Sequence, residues 1–399
     1  MTELLSIDEA QRRILERVRA LPAEPVALEL AAGRVLAEPG RAAVDLPPFA
    51  SSAMDGFALR SADTPATLPV ADRIAAGRPA ERELQQGEAM AIATGGAVPA
   101  GADAVVPIED VVDRADSVEV PKAVPGGANV RPVGGDVRAG DVVVPAGERL
   151  GPAQLGALAA AGVAVVSCAG RPRAAVLATG SELRRAGEAL GPGEIYESNG
   201  LILAAALADA GAAVERLPTV EDDEDAHRDA IRRGLDADLL VTSGGVSVGP
   251  HDLVRRIGAE LGVEEVFWGV AVKPGKPLWF GVRGRALVFG LPGNPVSALV
   301  GYELFVRPAV LALQGLGRPL PIFEPGRLGG RLRRSPAREQ LVRSRTRLDG
   351  EDVLLEPLSG QESHMIVRAA GADALVLVPR GEGELPEGAP IRFLRLSGG

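Results

Sequence analysis

The sequence contains few of the residues on which several common kinds of site depend. Its one cysteine, Cys168, excludes an intramolecular disulfide and any zinc site built on several cysteines. The three histidines, His227, His251 and His364, are scattered and share no helix-face spacing. Eight Phe, two Trp and two Tyr in 399 residues argue against a platform on which nucleic-acid bases stack. The net charge of −10 argues against any broad contact with nucleic acid, although a small anion needs only a local basic site.

Lysine is also scarce. Lys and Arg together number 43, and only Lys122, Lys273 and Lys276 are lysines. GC-rich coding bias, which replaces Lys by Arg, explains the general pattern. Two of the remaining lysines nevertheless lie together in Lys273-Pro274-Gly275-Lys276-Pro277. Lys is a compact point charge whereas Arg is a planar fork, so this pair is a candidate for binding a small anion.

No segment predicts a secretory signal or a membrane span. Residues 1–13 carry charges early and lack an apolar core. Residues 150–170 carry no charged side chain, but they are rich in Ala and Gly, with Pro152 near the start. That composition favours a helix followed by a strand over a span. We therefore expect a cytoplasmic protein without a membrane partner.

The hydrophobic pattern predicts several domains that differ in secondary structure. A capping box at Ser6 predicts a helix that runs to about Leu21. Short apolar runs alternate with Gly/Pro turns over residues 45–147, which is typical of a β-rich unit. Strands, among them 173–178 and 264–272, alternate with helices, among them 199–210 and 295–313. This alternation predicts a mostly parallel, doubly wound α/β sheet over residues 172–313. After a Pro/Gly-rich linker near 315–326, the remaining residues predict short strands.

Four loops of unusual sequence follow predicted strands of the α/β unit. They are Thr179-Gly180-Ser181-Glu182, residues 243–252 (SGGVSVGPHD), residues 273–277 (KPGKP) and residues 290–297 (GLPGNPVS). Because strand ends of an open α/β sheet meet at one edge, we expect the loops to form one crevice. Glycine lets backbone N–H groups approach an anion, and a helix N-terminus adds positive potential. The loops therefore predict a phosphate or oxyanion site.

Standard motifs do not account for these loops. Neither a Walker A sequence nor a GxGxxG after a strand is present. Gly245-Val246-Ser247-Val248-Gly249 matches a hydrolase nucleophile elbow, but Pro250 separates it from the next helix, which disfavours that interpretation.

Acidic residues at the same edge are candidates for a metal site. Glu182, Asp222 and Asp252 would supply the oxygen ligands that a divalent metal on a phosphoanhydride prefers. Asp252 is equally suited to capping a helix, and Asp222 with Asp223 to capping or first-turn positions, so both interpretations stay open.

Five motifs in this order and spacing resemble the molybdopterin molybdenumtransferase family, to which the E domain of gephyrin also belongs. They are SSAMDGFA (51–58), TGSEL (179–183), SGGVSVGPHD (243–252), KPGKP (273–277) and GLPGNPVS (290–297). The resemblance covers essentially the whole chain. It departs at Gly269, where many relatives have a basic residue.

The resemblance implies a transferase that inserts molybdate into adenylylated molybdopterin, releases AMP and forms molybdenum cofactor, with Mg²⁺ as cofactor. It also implies an elongated homodimer with sites shared between subunits. We further expect contacts with a molybdopterin adenylyltransferase and with the enzymes that accept the finished cofactor. Two alternatives remain: a non-catalytic binding or scaffold module like the E domain of gephyrin, and a molybdopterin adenylyltransferase.

The implied architecture is α/β plus β, with several domains in a discontinuous layout. The domains are a helical linking domain (1–45 and 146–170), an inserted β-rich domain (46–145), a central doubly wound α/β domain that binds molybdopterin (171–320), and a C-terminal β-barrel (321–399).

The resemblance also assigns roles to individual residues. The catalytic residues are Asp55, Glu182, Asp222, Asp252, Lys273 and Lys276. The metal ligands are Glu182, Asp222 and Asp252. The substrate-binding residues are Thr94, Asp136, Thr179, Gly180, Ser243, Gly244, Gly245, Ser247, Pro292, Asn294, Pro295 and Ser297. The molybdate pocket consists of Lys273, Lys276, Arg343 and Ser363. Asp55, Thr94 and Asp136 would reach the site from the partner subunit.

Overall fold

The computed structural model describes residues 4–75, 77–221, 223–246 and 253–396. The chain divides into two compact units, which we name by their content. The β-rich unit comprises Pro25–Ala32 and Glu38–Ser167, and the α/β–barrel unit comprises Met1–Glu24, Gly33–Ala37 and Cys168–Gly399.

Most strands of the first 170 residues are short. The strands are β1 (Ala23–Ala27), β2 (Gly40–Arg41), β3 (Ser51–Ser52), β4 (Gly56–Leu59), β5 (Ala66–Ile74), β6 (Ala89–Ile92), β7 (Ala104–Pro107), β8 (Val112–Asp113), β9 (Ser117–Val120), β10 (Val130–Arg131), β11 (Val142–Val144) and β12 (Val165–Ala169). The helices are α1 (Ile7–Arg17), α2 (Pro152–Ala160) and the 3₁₀ turns Leu28–Leu30, Ser61–Asp63 and Ile108–Asp110.

The β-rich unit is built on a six-stranded sheet in the order β7-β4-β6-β5-β9-β8. Strand side chains alternate between faces, so Phe57 and Leu59 of β4 enter one apolar cluster and Ala58 enters the other. Both faces of the sheet are therefore covered. The β-rich texture predicted for this part of the chain is confirmed.

The strands and helices between Arg173 and Leu313 form the α/β part of the second unit. Its strands are β13 (Arg173–Ala178), β14 (Leu183–Arg184), β15 (Ile195–Tyr196), β16 (Ala213–Arg216), β17 (Leu239–Ser243), β18 (Glu264–Trp268), β19 (Val272–Lys273), β20 (Trp279–Arg283) and β21 (Ala286–Leu291). Its helices are α3 (Asn199–Asp209), α4 (Glu224–Gly234), α5 (Leu253–Glu260), α6 (Pro295–Gly301) and α7 (Arg307–Leu313), with a π-helical segment, Tyr302–Val306, between the last two.

The central sheet has the order β16-β13-β17-β21-β20-β18. Its first four strands are parallel, whereas β20 and β18 are antiparallel to their neighbours. One face packs on α1, α3, α6 and α7, with Val241 and Phe289 in the core. The other face packs on α4 and α5, with Leu240 and Val288 in the core. The predicted doubly wound α/β arrangement is confirmed, with an antiparallel edge added.

Two helix starts follow the capping rules. The Oγ of Ser6 accepts a hydrogen bond from the N–H of Glu9 at 3.1 Å and begins α1. The carboxylate of Asp223 accepts one from the N–H of Ala226 at 2.8 Å and begins α4, which confirms the capping role for that residue. Helix α1 ends at Arg17, earlier than predicted, because Val18 adopts an extended conformation.

The helical run from Pro295 to Leu313 is long and apolar enough to cross a membrane by length and composition. However, 83% of its most apolar stretch is buried in the protein, which makes it a core helix. We predicted one regular helix here, and the structure instead places a π-helical segment in its middle.

The C-terminal strands close into a barrel. They are β22 (Phe323–Leu328), β23 (Leu332–Arg333), β24 (Glu339–Asp349), β25 (Asp352–Pro357), β26 (Ala374–Val378), β27 (Glu384–Leu385) and β28 (Pro390–Arg395), with the short helix α8 (Ile366–Ala369). The ring runs β24-β25-β22-β28-β26 and returns to β24. Leu355, Val376 and Phe393 fill its interior. The predicted C-terminal barrel is confirmed, while the exact domain boundaries stay a prediction.

Candidate active site

Loops at one edge of the central sheet surround a cavity of about 820 Å³. This volume is typical of sites for small-molecule substrates and cofactors. Nine of the predicted substrate and metal residues line it: Thr179, Gly180, Glu182, Ser243, Gly244, Gly245, Pro292, Asn294 and Pro295. Pro277 of the KPGKP loop lines it as well. The structure therefore brings the four predicted loops to one crevice.

Backbone hydrogen bonds tie three of these four loops together. The N–H of Thr179 donates to the carbonyl of Ser243 at 3.0 Å, and the N–H of Gly244 donates to the carbonyl of Leu291 at 3.1 Å. The side chains of Thr179 and Ser243 are buried. The register of three parallel strands thus continues into the cavity wall and fixes its shape.

Two glycines are required by the geometry of this wall. Gly244 has φ +96°, and a Cβ there would lie 2.6 Å from the carbonyl oxygen of Thr179. Gly180 has φ +151°, and a Cβ there would lie 2.6 Å from the carboxylate of Glu182. A side chain at position 244 would clash with backbone, whereas one at position 180 would displace the movable carboxylate of Glu182. At both positions the positive φ would strain the backbone. The bare backbone is what permits the loops to approach each other and a ligand.

Helix α6 begins at the cavity, and a loop of the barrel completes its first turn. Asn294 occupies the N-cap position, but its side chain makes no capping bond and is exposed. Instead, the N–H of Val296 donates to the carbonyl of Ser363 at 3.0 Å. His364, the next residue of that barrel loop, lines the cavity. Ser297 is buried within α6.

The side chain of Arg343 holds this barrel loop in place through hydrogen bonds. It is 1% exposed, and its terminal nitrogens donate to the carbonyls of Met365 (2.8 Å), Gly360 (2.9 Å) and Glu362 (3.1 Å). Burial lowers the pKa of the Arg343 guanidinium. Both terminal nitrogens of Arg343 donate to backbone carbonyls of this loop. This arrangement supports an indirect role for Arg343 in the predicted molybdate pocket, in which it positions Ser363.

The two lysines lie on either side of the KPGKP turn, and both are exposed. Lys273 is in β19, which pairs with β24 of the barrel, opposite Gln340. Lys276 lies in the turn before β20, and its carbonyl accepts hydrogen bonds from Val270 and Leu278. Neither lysine is among the residues that line the cavity, but Pro277 follows Lys276 directly and is one of them.

One strand prediction near these lysines is wrong. We expected a single strand over residues 264–272 that ends at the KPGKP loop, whereas the structure has β18 and then a separate β19. The loop reaches the predicted edge because it precedes β20, which is antiparallel to β21 and pairs Trp279 with Gly290.

Gly269 lies between these two strands and has φ +90°. A Cβ there would lie 2.7 Å from the Cδ2 of Leu4. A basic side chain at this position would strain the backbone and displace the end of the Leu4 side chain.

The β-rich unit carries its own group of predicted residues. Asp55 is exposed, and its Oδ1 accepts hydrogen bonds from the N–H (2.6 Å) and the hydroxyl (2.9 Å) of Thr94. These bonds, the backbone one foremost, lower the pKa of Asp55. Asp136 is also exposed, in a loop whose backbone is tied to Leu46 at 2.9 Å. The structure thus joins Asp55 and Thr94 directly.

The predicted Mg²⁺ ligands are described in part. Asp222, Asp252 and the substrate-binding candidate Ser247 lie outside the described residues. Glu182 is described, is exposed at the cavity, and offers the oxygen donor that Mg²⁺ prefers. Among the described residues no group of three or more His, Cys, Asp or Glu side chains could hold a metal ion. The ligand set therefore stays a prediction.

Asn199 and Glu197 line the cavity and were not among the predicted site residues. Asn199 Nδ2 donates to the Oγ of Ser243 and to the carbonyl of Gly293, both at 2.7 Å. Glu197 forms a 2.9 Å ion pair with Arg216 and accepts from the N–H of Gly200. The signal for them in the sequence is the polar stretch Glu197-Ser198-Asn199, which stands immediately before the apolar residues of α3.

Comparisons with known proteins match the whole chain. Residues 5–162 match the MoeA N-terminal region (domain I and II), residues 175–312 a probable molybdopterin binding domain, and residues 325–396 the MoeA C-terminal region (domain IV). Molybdopterin molybdenumtransferase 2 of Mycobacterium tuberculosis is 39% identical over 98% of this chain and 100% of its own length. The molybdopterin molybdenumtransferase of Staphylococcus aureus is 32% identical over 94% and 92%.

Solved structures agree with the sequence matches. A molybdopterin biosynthesis MoeA protein from Pyrococcus horikoshii superposes with a TM-score of 0.83 at 31% identity, covering 99% of this chain and 100% of that one. With all three family regions present in order and full-length relatives above 30% identity, this chain belongs to the MoeA family of molybdopterin molybdenumtransferases.

Proposed function

We propose that this chain is the enzyme that inserts molybdate into adenylylated molybdopterin, releasing AMP and forming molybdenum cofactor. The observation that carries the proposal is the cavity of about 820 Å³ in which the glycine loops at Gly180 and Gly244 meet the start of α6. Because Gly180 and Gly244 have no side chains, the phosphates of the adenylylated substrate can approach this wall closely. Family membership indicates the reaction type. The cavity offers a place for the phosphoanhydride of the adenylylated substrate.

Molybdate enters this proposal as a dianionic substrate. Lys273 and Lys276 are exposed beside Pro277 of the cavity and provide the countercharge. Ser363 is carried on the loop that Arg343 holds with its three carbonyl bonds. In this arrangement the lysines attract the anion, and Arg343 keeps the loop in place at the start of α6.

Mg²⁺ is part of the proposal as the resemblance implies it. Glu182 would hold the ion together with Asp222 and Asp252. When bound, the ion neutralises charge on the phosphoanhydride. Glu182 is positioned for this by the loop after β13, where its carboxylate lies beside Gly180.

The assembly in the proposal is a homodimer whose sites combine residues of both subunits. Its support is the resemblance to the family, which implies that Asp55, Thr94 and Asp136 reach the site from the partner subunit. These three residues belong to the β-rich unit. Partners would be a molybdopterin adenylyltransferase and the enzymes that accept the cofactor. We place the protein in the cytoplasm.

The competing scaffold role leaves part of the site unexplained. A scaffold would need neither exposed lysines beside a glycine-walled cavity nor the Asp55–Thr94 pair. A molybdopterin adenylyltransferase would leave the matches to the N-terminal and C-terminal MoeA regions unexplained.

The test supplies the purified chain with adenylylated molybdopterin, molybdate and Mg²⁺ and measures AMP by chromatography. We expect AMP release to increase with molybdate and to saturate. Sulfate in place of molybdate serves as the control anion, and an enzyme-free mixture corrects for spontaneous hydrolysis. AMP release that does not depend on molybdate would contradict the proposal.

A further inference from the structure

We infer that Asn199 is a positioning residue of the cavity, which fixes the carbonyl groups of Pro292 and Gly293 so that the adjoining wall accepts an anion. The inference rests on the proposed function and assigns a role to a residue that none of the motifs contains.

The side chain of Asn199 connects three separate segments of the cavity wall. It is the first residue of α3 and is 9% exposed. One hydrogen of its Nδ2 goes to the Oγ of Ser243 and the other to the carbonyl of Gly293, each at 2.7 Å. The hydroxyl of Ser243 donates in turn to the carbonyl of Pro292 at 3.3 Å. One amide therefore fixes two successive carbonyl groups.

The two carbonyl groups matter for anion binding because of where they lie. Pro292 and Gly293 both line the cavity and stand just before Asn294, the N-cap of α6. A carbonyl oxygen carries partial negative charge and would repel a phosphate that it faced. Carbonyls that accept hydrogen bonds from Asn199 and Ser243 are held in place, and the bonded hydrogens offset part of their negative charge.

The arrangement carries an energetic cost that stability does not explain. The Oδ1 of Asn199 is buried and has no hydrogen-bond partner among the described residues. Buried polar groups are nearly always paired, so an unpaired acceptor needs a reason. Orientation of the two Nδ2 donors toward the wall is such a reason, since departures from good local packing concentrate at functional sites.

Gln314 provides a matched control in the same unit. It is 3% exposed, and its Nε2 also donates to two backbone carbonyls, those of Ala210 at 2.8 Å and Val310 at 3.1 Å. Gln314 does not belong to the cavity lining. Truncation of either residue removes the same kind of contact, but only Asn199→Ala should change the cavity.

The experiment measures binding of AMP and of uncharged adenosine by calorimetry to wild-type protein, Asn199→Ala, Asn199→Asp and Gln314→Ala. We expect Asn199→Ala to weaken AMP binding about tenfold, which is about 1.4 kcal/mol, with adenosine affinity nearly unchanged. Asn199→Asp keeps the side-chain size but replaces donors by acceptors, so its loss for AMP should be larger. Gln314→Ala should lower the thermal midpoint and leave both affinities unchanged.

The outcomes separate the inference from the proposed function. Wild-type protein that fails to bind AMP contradicts both. Wild-type protein that binds AMP, with affinity unchanged in Asn199→Ala and Asn199→Asp, contradicts the inference alone. Equal losses for AMP and adenosine would also contradict it, since they would indicate a general collapse of the wall. If Asn199→Ala does not fold, the isosteric Asn199→Asp decides.

Discussion

The N–H of Val296 donates a 3.0 Å hydrogen bond to the carbonyl oxygen of Ser363, and this bond joins the start of α6 to a loop of the C-terminal barrel. A helix start leaves several N–H groups without partners inside the helix. Here a residue nearly seventy positions away supplies one acceptor, so the barrel helps to shape the cavity. The position of that loop in turn depends on the buried Arg343.

The first prediction concerns Arg343. Arg343→Ala removes the three carbonyl bonds that hold the loop, and we expect the free energy of unfolding in urea to fall by about 2–4 kcal/mol. The apparent KM for molybdate should rise because Ser363 loses its support. Arg345→Ala is the control, since Arg345 is exposed on the same strand and its side chain donates to the carbonyl of Gly371. An Arg343→Ala protein of unchanged stability but impaired molybdate use would indicate direct contact with the anion instead.

Local elements of the fold were predictable because their causes are local. The strand Arg173–Ala178 has the predicted bounds, and α3 differs from its prediction by one residue, since an apolar run between turn residues marks each. The glycine loops were predictable for the same reason. Only Gly tolerates the φ of +96° at Gly244, so the residue type itself signals the conformation.

Other features depend on contacts that no local pattern records. The three partners of Arg343 lie 17 to 22 positions away along the chain, and the two partners of Asn199 lie 44 and 94 positions away. The division between β18 and β19 follows from a positive φ at Gly269 and the packing of Leu4 against it. These contacts depend on which distant segments of the chain lie next to each other. Hydrophobic periodicity along the sequence does not record that.

The second prediction concerns Lys276, one of the three lysines in the sequence. We expect Lys276→Ala to raise the apparent KM for molybdate about tenfold, while the melting temperature stays unchanged because the side chain is exposed. Lys276→Arg should restore only part of the loss, since a planar fork replaces a point charge. The control is Lys122→Ala, the remaining lysine, in the β-rich unit. Wild-type kinetics in Lys276→Ala would remove Lys276 from the molybdate pocket.

The third prediction concerns the pH dependence of the Asp55–Thr94 pair. Thr94 donates to the ionised carboxylate and lowers the pKa of Asp55, so Thr94→Val should shift that pKa upward, with the backbone bond remaining. The stabilisation is present above the unfolded-state pKa of about 3.9 and is lost as pH falls through the lower folded-state value. Carboxyl NMR titration of both proteins measures the shift. Identical titration curves would show that the hydroxyl contributes nothing.

The fourth prediction concerns subunit exchange. In a homodimer with shared sites, mixing Asp55→Ala with Lys276→Ala subunits should restore part of the activity, because one site of each mixed dimer then carries both wild-type residues. Sedimentation first establishes the dimer, and AMP release measures the recovery. Each variant alone is the control. A mixed population no more active than the separate variants would place both residues in a site within one chain.

The last prediction concerns the backbone of the cavity wall. Gly244→Ala places a Cβ 2.6 Å from the carbonyl of Thr179 at φ +96°, so the loop must move. Gly284 has φ +60° in a turn with open space around it, so Gly284→Ala adds backbone strain without a clash. We expect Gly284→Ala to cost about 1 kcal/mol of stability and to retain AMP binding. Gly244→Ala should abolish AMP binding in calorimetry even where the protein stays folded by circular dichroism. If both variants bind AMP as the wild type does, the close approach of the two loops is not what builds the site.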